Sequence, residues 1–394
     1  MRVLTSDRWR TWIALFAALS IWAAAASLHA AQDAREPPST APSTTPSTTT
    51  ALPAAYTGKD IFDLACATCH GPDGSGSPRS VVGFDLEFPD FTDCKFTTPE
   101  PLADWFAVIH NGGPVRGLDR HMPAFGDALS DEDIENVIKY IWTFCSSTAW
   151  PRGDLSVPRG FFIEKAYPEN EVIFTTAITG RGQKAIGSEV IYERRLGVRN
   201  QFEVVIPVDL QQDPGARWSR GLGDVAVAFK RTLYASVDTG RILSAGAEIV
   251  IPTGKESSGL GSGFAVYEPF VLFGQALPRG MFLQGAAGYG VPSDHTRGNN
   301  EAFWRAGFGG TLAQDGGFGR AWSPMVEVLW ARQTHGTPEV DVVPQMQITL
   351  SKLQHVMVAG GVRIPVNERA ERHTQVLTYL IWDWFDGGFF DFWK

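Results

Sequence analysis

Long apolar runs are all but missing from this 394-residue chain. The longest, from Trp12 to about Ala26, falls short of the roughly twenty residues that a membrane-crossing helix needs. It follows Arg2, Arg8 and Arg10 and precedes small residues near Ala30, so residues 1–30 are read as a secretory signal peptide. Cysteine is equally scarce. There are four, and none lies near the expected cleavage region, which argues against a lipid-modified N-terminus. Residues 31–55 hold mostly Pro, Ser, Thr and Ala, a composition that cannot bury a core and is expected to be a tether. Basic charge is the minority sign, with 34 Lys and Arg against 43 Asp and Glu, and nothing points to nucleic acid. A zinc-protease helix and a nucleophile elbow are both lacking. Gly254-Lys255-Glu256-Ser257 is no phosphate-binding loop, because it has neither the upstream glycine nor a Ser or Thr directly after the lysine. Gly259 to Gly263 reads as a flexible loop.

Two of the four cysteines carry the most informative motif, Cys66-Ala67-Thr68-Cys69-His70. C-x-x-C-H is the attachment site of a c-type haem. Two thiols at this spacing add across the haem vinyl groups, and the next residue offers an imidazole to the iron. About fifty residues later stands Met122-Pro123-Ala124-Phe125-Gly126, whose thioether can take the second axial position. His121, next to Met122, is the alternative ligand, while His110 reads as a surface or hydrogen-bonded histidine.

Helical patterning surrounds the motif from Tyr56 to Ser147. Thr57 or Asp60 can cap a first helix that ends at Cys66–His70, and Gly71-Pro72-Asp73-Gly74 turns the chain away. Leu102 to Ile109 reads as a middle helix stopped by Asn111-Gly112-Gly113-Pro114. Ser130 and Asp133 make a capping box for a last helix over Glu132 to Phe144, with Ile134, Val137, Ile138, Ile141 and Trp142 on one stripe. Residues 56–147 resemble class I cytochrome c. Gly58 and Phe62 match the small and aromatic positions of that family's first helix, and Tyr140 or Trp142 matches the aromatic position of its last, which crosses the first. The resemblance implies one covalent haem c, with thioethers at Cys66 and Cys69, His70 proximal and Met122 distal.

Cys94 and Cys145 remain. In an oxidising compartment a leftover pair suggests a disulfide; the alternative is two unlinked buried thiols. Closing a loop of about fifty residues would contribute on the order of 4 kcal/mol on the chain-entropy model. The same segment holds 15 Asp and Glu against six Lys and Arg, so the chain's acidity belongs to it. A redox partner in the periplasm with a basic face would be steered there. A merely solvated acidic surface explains the charge equally well.

From Glu171 onward period-two alternation replaces helical periodicity. Phe202, Val204, Ile206, Val208 and Leu210 form one face of a segment whose other face holds Gln201, Glu203 and Asp209. About twelve strands are expected, centred near Ile173, Val190, Val204, Val227, Ala247, Phe270, Leu283, Ala306, Val328, Met346, Val358 and Leu380. Most are near the nine to eleven residues that cross a bilayer when tilted, and an even count with apolar/polar alternation marks an outer-membrane barrel. Trp304, Trp322, Trp330, Trp382 and Trp384 near strand ends would form aromatic girdles. Links after the second, fourth, sixth and tenth strands are short, while Gln211–Arg220, Pro252–Gly263 and Pro292–Glu301 are longer and polar. Short periplasmic turns and long outer loops would then place both barrel ends, and the haem domain, on the periplasmic side. A soluble β-sandwich is the competing fold.

The expected architecture is therefore multidomain. An all-α class I cytochrome c domain (56–147) is followed by a connector (148–170) and an all-β antiparallel up-and-down barrel of about 12 strands (171–394). Gly221-Leu222-Gly223-Asp224, the strand end at 248–254 and Phe389-Phe390-Asp391-Phe392-Trp393 resemble outer-membrane barrels of the aromatic-compound-degradation type, departing by the final Lys394. In organisation the chain resembles cytochrome–porin fusions of extracellular iron oxidation. A ninety-residue domain has a radius of gyration of about 12 Å, too large for a twelve-stranded lumen, so the haem is expected at the periplasmic mouth. The leading function is electron transfer by a carrier anchored in outer-membrane lipid rather than an enzyme. The rival is a channel for a small solute, an aromatic compound being one option, with an accessory cytochrome. A haem enzyme such as a peroxidase is disfavoured by the methionine ligand.

Overall fold

The computed structural model describes residues 56–83, 85–182, 184–212, 217–313 and 321–384. The expected signal peptide and tether, the link at 314–320 and the aromatic stretch at 389–393 lie outside them.

Thr57 and Asp60 open the first helix with a reciprocal capping box, each side chain accepting from the other's backbone N–H. Helix α1 (Gly58–Ile61) passes through one π turn, Phe62–Cys66, into α2 (Ala67–His70). Single turns α3 (Arg79–Val82) and α4 (Cys94–Thr97) follow. Helix α5 (Leu102–Asn111) stops at Gly112, whose φ of 84° disfavours any side chain. Ser130 and Asp133 cap α6 (Asp131–Ile141) as their spacing predicts. That helix ends three residues before the expected Phe144, because Thr143 and Phe144 already bond to carbonyls only three residues back, those of Tyr140 and Ile141.

The first and last helices cross at Gly58. A Cβ there would lie 2.1 Å from the Asn136 carbonyl oxygen, so only glycine fits. Around the crossing Ile61, Phe62, Ile134, Val137, Ile138 and Ile141 form the buried core. Of the two aromatic candidates, Tyr140 is the one that meets Phe62, with ring centroids 5.4 Å apart. Trp142 instead lies under the Arg152 guanidinium, 3.3 Å from its ring centroid. Cys94 and Cys145 form a disulfide that ties α4 to the chain beyond α6.

The β region closes on itself. Its strands are β1 (Glu171–Thr179), β2 (Ala185–Leu196), β3 (Asn200–Gln212), β4 (Trp218–Leu222), β5 (Val225–Ser236), β6 (Arg241–Ile251) and β7 (Val266–Ala276). They continue with β8 (Met281–Pro292), β9 (Glu301–Gly310), β10 (Leu312–Ala313), β11 (Ala321–Gln333), β12 (Glu339–Thr349), β13 (Val356–Pro365) and β14 (Gln375–Asp383). Strands β4 and β5 both pair antiparallel with β3 and make one wall interrupted at Gly223-Asp224. Strand β10 prolongs β9 along β11. Twelve long antiparallel staves result, each paired with its sequence neighbours, and β1 pairs with β14 from Glu171↔Asp383 to Thr179↔Gln375. Closure removes both edges, which a sandwich would keep.

The alternation sorts the two faces. Phe174, Ile206, Phe229, Leu243, Val271 and Val376 point outward and are between 38% and 51% exposed. Glu171, Glu193, Ser244, Gln284, Glu327 and Asp341 point inward and are buried. Tyr267, Tyr289 and Trp304 stand on the outer face towards the long-loop rim, and Trp304 stacks on Trp330, its register partner, at 6.3 Å. Tyr192, Tyr234 and Trp382 stand near the other rim, so two aromatic bands flank an apolar belt.

The connector takes a course its sequence did not specify. At its start it is bound to the helical domain: Gly153 N–H donates to the Thr98 carbonyl at 2.7 Å, and the Asp154 carboxylate accepts from Leu102 N–H at 2.8 Å. Residues 155–170 then run inside the barrel. Leu155, Ile163, Ala166 and Tyr167 pack on Ala228, Ile242, Phe270 and Leu272 of the inner wall, and Phe161 packs on Tyr379 with centroids 4.9 Å apart. The lumen is thus not uniformly polar, as expected from alternation, but carries an apolar collar that the connector fills.

Candidate functional site

Helix α2 and the loop after α5 bring the haem-motif residues together with the expected distal methionine. Cys66 and Cys69 are both half-buried and are the two free thiols of the chain. Burial, with Cys69 beside it, pushes the Cys66 thiol up to about 11. The His70 ring stacks on Phe91 at 4.7 Å and meets the edge of Phe88 at 6.0 Å. Burial pulls its pKa down to about 4, so the imidazole is neutral, the form that ligates iron. Its Nδ1 is buried without a hydrogen-bond partner.

Met122 is partly buried against the same core, alongside Cys66, Ala67 and Phe125. Its loop is fixed from both sides: Met122 N–H donates to Asp119 O at 3.2 Å, and Gly113 N–H donates to Met122 O at 3.0 Å. A Cβ on Gly113 would sit 2.3 Å from Asp119 O and 3.1 Å from the Met122 Cβ, so glycine permits this close approach. Trp105 of α5 presents a second buried, unpartnered donor, its indole N–H. Two free thiols, a neutral imidazole, a thioether and an orphaned N–H around one apolar core fit a covalently held porphyrin with an anionic edge.

The other histidines are engaged elsewhere. His121 is half-exposed, with Nδ1 2.6 Å from Asp119 Oδ1. The His121 backbone N–H, then its side chain, hold the Asp119 carboxyl below the usual range. His110 Nδ1 lies 2.9 Å from Asn111 Oδ1, and its ring lies so close to Gly126 that a Cβ there would be 2.6 Å away.

A second constellation escaped sequence reasoning. Inside the barrel Glu171, Glu193 and Glu203 stand directly opposite one another on β1, β2 and β3. Arg159 of the connector donates to Glu193 Oε1 at 2.5 Å and reaches Glu171 Oε1 at 3.4 Å. Lys165 Nζ lies 3.1 Å from Glu169 Oε1 and 3.0 Å from Glu171 Oε2. On the opposite wall Glu327 accepts the backbone N–H groups of Phe161, at 2.9 Å, and Ile163, at 2.8 Å, with Phe162 between them at 3.1 Å. The inward glutamates were legible as the polar face of alternating strands. That connector charges answer them was not, because those residues carry no periodicity.

At the rim where β1 begins and β14 ends, the helical domain touches the barrel. Asp104 of α5 accepts a hydrogen bond from Gln354 in the β12–β13 turn, and Arg199 in the β2–β3 turn donates to the Ala149 carbonyl at 2.8 Å.

Comparison with known proteins bears on each half. Residues 53–141 match the family model of cytochrome c oxidase, cbb3-type, subunit III. Cytochrome c6 of Gracilaria tenuistipitata var. liui is 31% identical over 84 residues, covering 21% of this chain and 67% of that one. Among solved structures, the NanC porin aligns 54% of this chain with 98% of its own at a TM-score of 0.39 and 8% identity. An outer-membrane channel from Pseudomonas putida F1 aligns 57% with 99% at a TM-score of 0.39 and 11% identity. Through its helical domain the chain belongs to the cytochrome c family, and it joins that domain to a closed twelve-stranded β-barrel.

Proposed function

We propose that this protein is an electron-transfer cytochrome anchored in the bacterial outer membrane by its barrel, with the haem domain on the periplasmic side. The observation that carries the electron-transfer reading is the filled donor set. His70 offers a neutral imidazole and Met122 shares its core, so His70 and Met122 would hold the iron and Cys66 and Cys69 would hold the porphyrin. A haem held by both of these side chains would supply electron exchange rather than substrate chemistry. The bound haem would supply one-electron redox chemistry. The chain's own residues bind it, shield it and aim it: Phe91 fixes the His70 ring plane, and Asp119 and Gly113 hold the Met122 loop. The excess of acidic side chains on this domain favours a partner with a basic face.

The membrane reading is supported by closure together with an outward apolar belt between two aromatic bands, a surface that water would leave bare. The short turns lie on the rim that meets the helical domain, which favours the periplasmic side for the haem.

The test is spectroscopic, on full-length protein from a host that matures c-type cytochromes. The expected result is haem that stays with the polypeptide through a denaturing gel of outer-membrane fractions. The ferric protein should show the long-wavelength charge-transfer band of methionine-sulfur ligation. Met122→Ala should abolish that band and lower the reduction potential, whereas His121→Ala should change neither. A band that survives in Met122→Ala and disappears in another variant would overturn the ligand assignment. Haem recovered only in the soluble fraction would overturn the anchor.

A further inference from the structure

The acidic residues of the barrel interior continue past those the connector neutralises. From Glu193 and Glu203 the same cross-strand line passes through Ala228 on β5 to Glu248 on β6 and Glu268 on β7, each directly opposite the next. Like charges facing each other across a ladder are destabilising, so each such pair calls for a counter-charge. Glu171 and Glu193 have theirs in Arg159 and Lys165. Among the described residues, no Lys or Arg lies within ion-pair distance of Glu203, Glu248, Glu268 or Glu164 of the connector.

These four carboxylates line one cavity of about 420 Å³ in the half of the lumen nearer the long loops. Arg159, already spent on Glu193, and Arg305, which donates to the Phe162 carbonyl, are the cations on its wall. An independent observation points the same way. Glu203 is 3% exposed and its Oε2 has no hydrogen-bond partner. A buried acceptor left unpaired is destabilising, more so when charged, so that oxygen calls for a donor the chain does not provide.

The size and walls select the class of occupant. A bare metal ion would draw its carboxylates together. The carboxylates gathered that closely among the described residues are Glu169, Glu171 and Asp383, where the Lys165 ammonium already sits. The cavity's own carboxylates are spread around a volume typical of small-molecule sites, and Phe162, Phe270 and Phe303 supply apolar wall between them. Aromatic faces attract cations; Phe303 and Phe162 already meet Arg305 and Arg363, which leaves the Phe270 ring.

We propose that the long-loop half of the barrel lumen binds a small organic cation, an ammonium group on an apolar body, with the charge held by Glu248, Glu268 and the buried Glu203. The proposal rests on the barrel reading and is independent of the haem ligands. It names the solute class that the rival channel function left open, and places that solute on the side of the connector away from the haem domain.

The experiment is calorimetric titration of the detergent-solubilised full-length holoprotein with benzylammonium as probe. Benzyl alcohol and benzoate serve as the neutral and anionic controls. The expected result is saturable binding of benzylammonium alone, weakened at least tenfold in Glu248→Gln/Glu268→Gln and also in Glu203→Gln. Heat-modifiable gel mobility reports whether each variant keeps its barrel, and the haem spectrum reports the other domain separately. Benzylammonium binding that is absent, or unchanged in folded variants, overturns the proposal. So does equal binding of benzyl alcohol. Magnesium binding abolished by the variants, with no binding of benzylammonium, would overturn the organic class in favour of a hydrated metal ion.

Discussion

In the cytochrome domain Phe62, Ile134, Val137 and Ile138 are fully buried, while Asp131 and Glu132 of the same last helix face outward. In the barrel Glu171, Glu193 and Ser244 are fully buried, while Phe229, Leu233 and Val271 are about half exposed. On the proposed membrane location, the two regions obey one rule in two solvents. A helix bundle in water hides its apolar stripe, whereas a closed sheet in lipid turns its apolar face out and must satisfy its polar groups within. The connector belongs to both regimes. Near Gly153 it pairs with backbone and a helix N-terminus of the cytochrome domain, and at Arg159 and Lys165 it supplies the counter-charges of Glu171 and Glu193.

This contrast can be broken most severely at Arg159. Arg159→Ala strands Glu193 in the lumen while Glu171 keeps Lys165, and removing one partner from a buried ion pair costs about 3–5 kcal/mol. Denaturant unfolding of the solubilised protein should show that loss in the β-sheet signal, with haem absorption unaltered. The opposite dissection is Cys94→Ser/Cys145→Ser. Opening that loop should cost on the order of 4 kcal/mol, read in the haem-domain transition, and should leave the barrel transition in place.

A pair of arginine scans sharpens the distinction between faces. Val271→Arg, midway along β7 on the outer face, should cost about 2–4 kcal/mol in bilayers if lipid covers that face. Thr175→Arg, which enters the acidic cavity from β1, should fall within about 0.5 kcal/mol of the parent. Equal costs at both positions, measured by folding into liposomes, would refute a lipid-covered exterior. A moderate effect, smaller than that of Arg159→Ala, is expected at the helix crossing. Gly58→Ala pushes a methyl group into the Asn136 carbonyl, and overpacking of this kind costs about 1–3 kcal/mol. It should lower the melting temperature of the haem domain alone.

Much of this was legible in the sequence, for identifiable reasons. The twelve long strands contain the twelve expected centres, from Ile173 to Leu380, because period-two alternation is a local signal that a closed sheet enforces at every position. The two capping boxes were legible because a hydroxyl and a carboxylate three residues apart act within one helical turn. The choice between Tyr140 and Trp142 was not, since both lie on the last helix and only the crossing angle and the arrival of Arg152 separate them. The interior apolar collar was also missed: Ile242, Leu272 and Phe282 sit on the face that alternation marks as polar.

By itself, then, the sequence determined everything set by short-range spacing: the haem motif, the caps, the change of period at Glu171 and the inward placing of the glutamates. The tertiary structure alone decided where residues 155–170 go. No periodicity guides that stretch, and its course is set by long-range partners, the Glu193 carboxylate and the Glu327 carboxylate that gathers three of its N–H groups. It also decided which glutamates are answered and which are left facing the cavity, because register across six adjacent strands brings together residues as much as a hundred positions apart.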